Sequence, residues 1–237
     1  MALLSYGRSR DARKFPESRI EGGLQDARIC FLLGSIFEGR GERAEADSWF
    51  QRGMAIDPRS APWHSAMAEV LLNRGDLDGA DREATRALEL DGRVEGAHFI
   101  RATVLEQRGR DAEAFEEYGR ETALNAVDER SFRALTALAR RLGRLDAEAV
   151  FLAESLRRHA DAPWPLLYGS RNLLDRGQQL EDGIRLAEDA LAVASNDRQA
   201  VFACFLLADL YSRLGDPRRA AEFAERARAL ERGGAAG

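Results

Sequence analysis

Three side chains of types that commonly bind metals form one periodic row. Cys30, His64 and His98 follow one another at intervals of 34 residues. Cysteine sulfur and histidine nitrogen are ligands that zinc prefers, so the row raises the question of a zinc site. The answer depends on whether the elements that carry the three residues bring them together.

Arginine forms the second concentration of chemically capable side chains. Arg130, Arg133, Arg140 and Arg141 lie close together in the sequence. A guanidinium binds a carboxylate through two parallel hydrogen bonds, so the cluster predicts a site for an acidic partner. The alternative is an ordinary solvated helix face in a chain whose bases are nearly all arginine, since Lys14 is its only lysine.

The sequence contains none of the common catalytic motifs. It lacks Gly-x-Ser-x-Gly, a phosphate-binding loop, a dinucleotide-binding fingerprint and His-Glu-x-x-His. Its acidic residues are spread in runs that are typical of solvated helix faces. We therefore predict that the chain is not an enzyme and needs no cofactor.

Composition narrows the class of protein further. The net charge is −5 with acids and bases interspersed, which argues against a general nucleic-acid binder. No apolar run approaches the roughly 18 residues that would insert across a bilayer. No signal peptide is visible, and two cysteines give no disulfide framework. These features predict a cytoplasmic, bacterial-type protein, with a signal already removed as the alternative.

Glycine marks an internal repeat. Successive intervals are 34 residues four times and 38 once, for Gly41, Gly75, Gly109, Gly143, Gly177 and Gly215. Between these glycines the apolar residues follow helical spacing, as in the segment 129–142. Helices of about 13 residues are marginal alone, so they must be stabilised by packing against one another. A left-handed backbone at each glycine would end the first helix of a pair.

A 34-residue helix–turn–helix unit of this kind resembles the tetratricopeptide repeat. The first unit carries the residues that the family expects at Leu33, Gly34, Phe37, Gly41, Ala46, Phe50 and Pro58. The resemblance implies an all-α, right-handed solenoid of about six units, at 27–60, 61–94, 95–128, 129–162, 163–200 and 201–234. Residues 1–26 do not fit the repeat and are predicted to form an N-terminal tail or cap, ordered or disordered.

Two units depart from the family pattern. In unit four, Glu148 stands where a small residue is expected between the two helices. In unit five, Gly183 comes one residue late, which predicts a longer turn inside that unit.

The repeat also answers the question of the metal row. Its three residues would lie on the first helices of successive units, and packed helices are roughly 8–10 Å apart. Zinc ligand atoms lie only about 2.0–2.3 Å from the ion. Phe132 and Leu166 take the same position in units four and five, which is typical of packing. We predict no metal site.

The resemblance further implies a concave groove, lined by the first helix of each unit, that binds peptides or protein domains. On this register the groove is acidic at its start and basic further along. We predict that an acidic segment or a C-terminal carboxylate of a partner lies across Arg130–Arg171. The predicted partner-binding residues are Asn73, Phe99, Arg130, Arg133, Arg140, Arg141, Trp164, Arg171, Phe202 and Phe205.

Three functional interpretations follow. The first is a non-catalytic adaptor or scaffold for protein–protein interaction. The second is a self-assembling scaffold joined through its chain ends, because no polar capping helix follows unit six. Its last helix would then expose Ala220, Phe223, Ala224, Ala227 and Leu230. The third, by analogy of fold alone, is an accessory factor in pilus or secretion assembly.

Overall fold

A computed structural model describes residues 26–234, which form paired helices. Within this range every regular element is a helix, and the predicted all-α solenoid is confirmed. The helices are α1 Ala27–Gly39, α2 Arg43–Ile56, α3 Ala61–Asn73, α4 Leu77–Leu90, α5 Ala97–Gln107, α6 Asp111–Leu124, α7 Glu129–Leu142, α8 Leu145–Arg158, α9 Pro163–Arg176, α10 Leu180–Val193, α11 Asp197–Arg213 and α12 Pro217–Gly234. Except for Asp26, whose carboxylate caps α1, the predicted tail 1–26 lies outside the described residues.

Each pair turns at its glycine as the sequence predicts. All six periodic glycines have positive φ, from 64° at Gly177 to 82° at Gly75. A side chain at Gly109 would meet nothing within 4 Å, so its backbone conformation, rather than lack of space, requires glycine there. The turn therefore depends on the backbone conformation of the glycine and little on the surrounding packing.

We expect Gly109→Ala to lower the free energy of unfolding by about 1 kcal/mol, because alanine is strained at positive φ. Gly39→Ala is the matched control, since Gly39 is helical and also has free space around it. Alanine there should be neutral or stabilising by about 0.5 kcal/mol. Urea denaturation followed by circular dichroism measures both. Equal destabilisation by the two changes would contradict this account of the turn.

Small residues let the two helices of a unit approach closely. Ala46, Ala80 and Ala114 are fully buried at this position in the first three units. Unit four has Glu148 there, and it too is fully buried. Its carboxylate accepts hydrogen bonds from the Thr136 hydroxyl and, at 2.8 Å, from Asn172 Nδ2. Unit four thus replaces an alanine contact with a buried polar network.

A second buried carboxylate joins the two helices of unit three. Glu121 of α6 is fully buried, and it accepts hydrogen bonds from the backbone N–H of Gly96 at 2.8 Å and of Phe99 at 3.4 Å. It therefore caps the start of α5, whose N-cap residue Gly96 has no side chain to do so. Burial raises the pKa of both Glu121 and Glu148.

In unit five, two residues rather than one separate the periodic glycine from the second helix, as the late glycine predicts. The turn between the two helices has three residues, as in units one to three. Gln179 has a φ of 50° and precedes α10. The next helix differs from expectation, because α11 begins at Asp197 rather than near 201. Asn196 caps it by accepting from the N–H of Gln199. The predicted boundary between 200 and 201 therefore falls inside a helix. Most of the four residues by which the 38-residue interval exceeds 34 lengthen α11, which has 17 residues, by about one turn.

The last helix lies on α11 and carries its own polar surface. Phe223 stacks on Tyr211 with ring centroids 5.7 Å apart, and Ala227 is fully buried. Between Pro217 and Arg232, the described part of α12 exposes no large apolar side chain. The exposed apolar end that motivated head-to-tail assembly is therefore absent at this end of the described chain.

Candidate binding groove

Two ion pairs show which face of the array is concave. Arg130 of α7 lies 3.5 Å from Glu69 of α3, and Arg198 of α11 lies 2.9 Å from Glu129 of α7. Each pair joins first helices two units apart, passing over the unit between them. Contacts of this kind form on the inside of a curve, where alternate units converge. The first helices therefore line the concave face, as the resemblance implies.

A basic patch lies on the concave face of units four and five. It comprises Arg133, Arg140 and Arg171. Arg140 and Arg171 share one carboxylate, Asp175, at 2.8 Å from Arg140 Nε and 3.3 Å from Arg171 Nε. Arg133 is exposed, and within residues 26–234 no carboxylate lies at ion-pairing distance from it. One carboxylate thus pairs with two of the three guanidinium groups, which leaves the patch positive.

The other two predicted arginines belong to a different environment. Arg130 lies 2.9 Å from Asp128, and its guanidinium stands over the Phe99 ring at 4.6 Å. Arg141 lies 3.1 Å from Glu106 and 2.9 Å from Asp111. Carboxylates of units two and three therefore compensate both side chains. The structure divides the predicted arginine row into a basic patch and two neutralised arginines.

The predicted aromatic anchors differ in how much surface they offer. Phe205 is 41% exposed, whereas Trp164 is only 7% exposed and packs against Tyr168 with ring centroids 6.4 Å apart. Phe202 is partly buried and meets the Tyr168 ring edge-on at 5.5 Å. Trp164 therefore serves the core, because so little of it can contact a partner. Phe205 has the exposed surface that an anchor needs.

Tyr168 and Asp175 are groove residues that the sequence reasoning missed. Tyr168 packs among Phe132, Trp164 and Phe202, and burial raises its pKa to about 12. Asp175 is one helical turn after Arg171. That i, i+4 spacing was a signal for the pairing with Arg171. The pairing with Arg140 had no such signal, since the two residues are on different helices.

A pocket of about 420 Å³ opens on the concave face at units two to four. We call it the acidic pocket. Its lining comes from α3, from the loop before α5, and from the starts of α5 and α7. The residues that line it are Pro62, Ser65, Ala66, Glu69, Asp91, Val94, Glu95, Gly96, Phe99, Ile100 and Arg130. Two predicted groove residues, Phe99 and Arg130, lie in it, and Asn73 is exposed at the far end of α3.

The three residues of the metal row are all buried. Cys30 is buried, His64 lies 2.7 Å from Glu83, and His98 lies 2.6 Å from Glu117. Each histidine thus meets a glutamate 19 residues further along the chain. Over residues 26–234 no three His, Cys, Asp or Glu side chains are grouped so that they could hold a metal.

Comparison with known proteins agrees with this architecture. The family model for the tetratricopeptide repeat matches residues 29–62 and 203–236, which are the first and last units. The first and last units of the chain are therefore tetratricopeptide repeats, as the sequence resemblance predicts. None of the helices between residues 26 and 234 combines the length and the apolar character needed to cross a membrane.

Several solved structures share the fold. PilF of Pseudomonas aeruginosa is 21% identical, with a TM-score of 0.58 over 86% of this chain and 91% of that one. PilW, described as a type IV pilus biogenesis factor, is 16% identical, with a TM-score of 0.55 over 86% and 92%. YrrB, described as having an unusual peptide-binding site, is 15% identical, with a TM-score of 0.53 over 76% and 91%. At these identities the likeness concerns the fold alone.

One curated relative matches part of the chain. A probable biofilm formation methyltransferase, WspC of Pseudomonas aeruginosa, is 28% identical over 93 residues. That match spans 38% of this chain and only 22% of the relative. The chain therefore corresponds to about a fifth of that protein's length.

Proposed function

We propose that this chain is a non-catalytic adaptor that holds a segment of a partner protein against its concave face. Stacked helical repeats present extended concave surfaces that suit such binding. The sequence carries none of the common catalytic motifs, which supports the non-catalytic part of the proposal. A bacterial cytoplasmic location is part of this proposal, and the free thiols of Cys30 and Cys204 support it.

The basic patch carries the proposal for the ligand. Arg140 and Arg171 share the Asp175 carboxylate, and Arg133 has no carboxylate at ion-pairing distance within residues 26–234, so the patch gains electrostatically by binding further acidic groups. An acidic segment or a C-terminal carboxylate of a partner supplies them, since guanidinium binds carboxylate in a bidentate manner. Phe205, exposed on the same concave side in unit six, offers an apolar anchor.

Selection from a random peptide library on the immobilised full chain tests this proposal. We expect selected peptides to be enriched in aspartate, glutamate or free C-terminal carboxylates. The double variant Arg133→Glu, Arg140→Glu should weaken their binding at least about tenfold, because it replaces attraction with repulsion at two contacts. Fluorescence anisotropy with a labelled selected peptide measures the change.

The matched control reverses two arginines of second helices in the same part of the array. Arg157 on α8 and Arg185 on α10 are exposed, at 69% and 74% of the side chain. The variant Arg157→Glu, Arg185→Glu has the same net charge as the groove variant. It should bind the peptides as the wild type does. Equal loss in both variants would show a general charge effect and contradict the assignment to the basic patch.

Self-assembly through the chain ends is the alternative from a different class. The polar surface of α12 weighs against it at that end of the described chain. Light scattering coupled to size exclusion separates the two functions. A constant mass of 26.3 kDa over a wide concentration range supports the adaptor. A mass that grows with concentration supports assembly.

An accessory role in pilus or secretion assembly is a second candidate. Its support is that PilF and PilW match this chain over almost their whole length with the same repeat architecture. Deleting the gene in its host and scoring surface pili by electron microscopy tests it. Loss of pili, restored by the wild-type gene, supports the role, and unchanged piliation together with unchanged secretion contradicts it.

A further inference from the structure

The acidic pocket has a charge opposite to that of the basic patch. Glu69, Asp91 and Glu95 line it, and Arg130 is its one basic residue. Arg130 is already paired with Asp128 at 2.9 Å, and its contact with Glu69 is longer, at 3.5 Å. Within residues 26–234, Asp91 and Glu95 form no ion pair. The pocket is therefore negative and retains carboxylates that a cation could neutralise.

Apolar side chains line the acidic pocket together with these carboxylates. Pro62, Val94, Ile100 and the Phe99 ring contribute to the lining. Its volume of about 420 Å³ falls within the roughly 300–1,000 Å³ typical of ligand sites. An apolar interior with acidic groups around it suits a side chain that has a long aliphatic stem and a cationic head.

The protein itself shows how a guanidinium binds at this place. Arg130 stands 4.6 Å above the centre of the Phe99 ring while its Nη1 lies 3.5 Å from Glu69 Oε1. Ring and carboxylate thus combine cation–π attraction with ion pairing at a partly exposed site. The carboxylates of Asp91 and Glu95 are not used by Arg130.

We propose that the acidic pocket binds an arginine side chain of the same partner segment whose acidic part lies on the basic patch. This inference rests on the proposed function, because it assigns the other part of the same concave face. The occupant is a peptide segment with separated charges, arginine over units two and three and carboxylate over units four and five. Reversed orientation of such a segment would place like charges together at both sites.

A peptide selection with two groove variants tests the inference. The same random library is presented to the full-length wild type, to Glu69→Gln, Glu95→Gln and to Arg133→Glu, Arg140→Glu. We expect wild-type peptides to contain arginine as well as acidic residues. Peptides selected on Glu69→Gln, Glu95→Gln should no longer be enriched in arginine but should remain enriched in acidic residues. Peptides selected on Arg133→Glu, Arg140→Glu should remain enriched in arginine but not in acidic residues. Both glutamates are exposed, so thermal melting should be unchanged.

The affinities of one selected peptide and of its citrulline analogue then measure directly how much the charge of the arginine contributes to binding. Citrulline keeps the shape of arginine and removes its charge. We expect the replacement to weaken binding to the wild type about fivefold, as for one ion pair at a partly exposed site. On Glu69→Gln, Glu95→Gln the same replacement should have almost no effect. The variant Glu89→Gln, Glu181→Gln, on second helices, is the matched control and should respond as the wild type does.

The outcomes separate this inference from the proposed function. Acid-rich peptides without arginine would overturn the inference and leave the proposed function standing. Arginine enrichment that persists on Glu69→Gln, Glu95→Gln would show that the acidic pocket is not the site. Selection of lysine in place of arginine, with equal affinity, would overturn the choice of guanidinium. Failure to select any peptide would overturn the inference and the proposed function together.

Discussion

Replacing Glu121 with alanine is expected to lower the free energy of unfolding by about 2–3 kcal/mol. The carboxylate is fully buried and accepts from the N–H groups of Gly96 and Phe99. Alanine would leave both donors of α5 without their partner. The loss should appear in urea denaturation as a lower midpoint, followed by circular dichroism of the helices.

Glu116→Ala is the matched control for this change. Glu116 lies on the same helix, α6, but is 41% exposed and makes one ion pair with Arg144. Surface ion pairs contribute only about 0–1 kcal/mol, so its loss should be small. A Glu121→Ala protein as stable as Glu116→Ala would contradict the capping role assigned to Glu121.

A loss of about 3 kcal/mol is also expected for Glu148→Ala. The change empties a fully buried position between α7, α8 and α9 and removes the acceptor for Thr136 and Asn172. Glu148→Gln keeps the volume and an acceptor oxygen, so it should retain most of the stability. Urea denaturation at one pH compares the two variants. Equal loss in both would show that the charge itself, rather than volume and hydrogen bonding, is what α7–α9 require.

The pH dependence of Glu148→Gln has a definite sign. Burial raises the folded-state pKa of Glu148 above its ordinary value of 4.5. The stability that protonated Glu148 contributes to the folded state is therefore fully present below the unfolded-state pKa. That stability is lost as pH rises through the raised folded-state pKa. Glutamine resembles the protonated form at every pH. The variant should therefore gain stability relative to the wild type as pH rises from 4.5 to 8.

Glu154 on the same helix gives the control of opposite sign. Hydrogen bonds from Arg157 and Arg158 lower its pKa to about 2. Its contribution is present above the unfolded-state pKa and is lost as pH falls toward 2. Glu154→Gln should therefore lose stability relative to the wild type as pH rises from 2 to 8. The same slope for both variants would contradict the opposite environments assigned to the two carboxyls.

The architecture could be predicted from the sequence because it depends on local signals. A glycine at positive φ and a helical apolar pattern are properties of single units, and both repeat every 34 residues. The predicted unit boundary was wrong before α11, where an inserted turn lengthens the helix and moves its start to Asp197. Helix extension and loop extension give the same sequence interval, so the interval could not distinguish them.

The groove was only partly predictable, because its electrostatics depend on contacts between units. Arg130 meets Glu69 only because the array curves, and curvature is not encoded in any one unit. The repeat register placed Trp164 and Phe205 on one face, but burial by Tyr168 and its neighbours separates their roles. The sequence alone shows that Glu148 departs from the family pattern. Its hydrogen-bond partners Thr136 and Asn172 are evident only in the packed structure.

The proposed function requires that the partner binds to the concave face, which the first helices line. Photo-cross-linking of a selected peptide tests it most directly, with the cross-linker introduced at exposed positions one at a time. Asn73, Ala137 and Phe205 lie on first helices, whereas Val150 and Arg185 lie on second helices. We expect cross-links from the first three positions and none from the last two. Cross-links from Val150 or Arg185, with none from the first-helix positions, would contradict it.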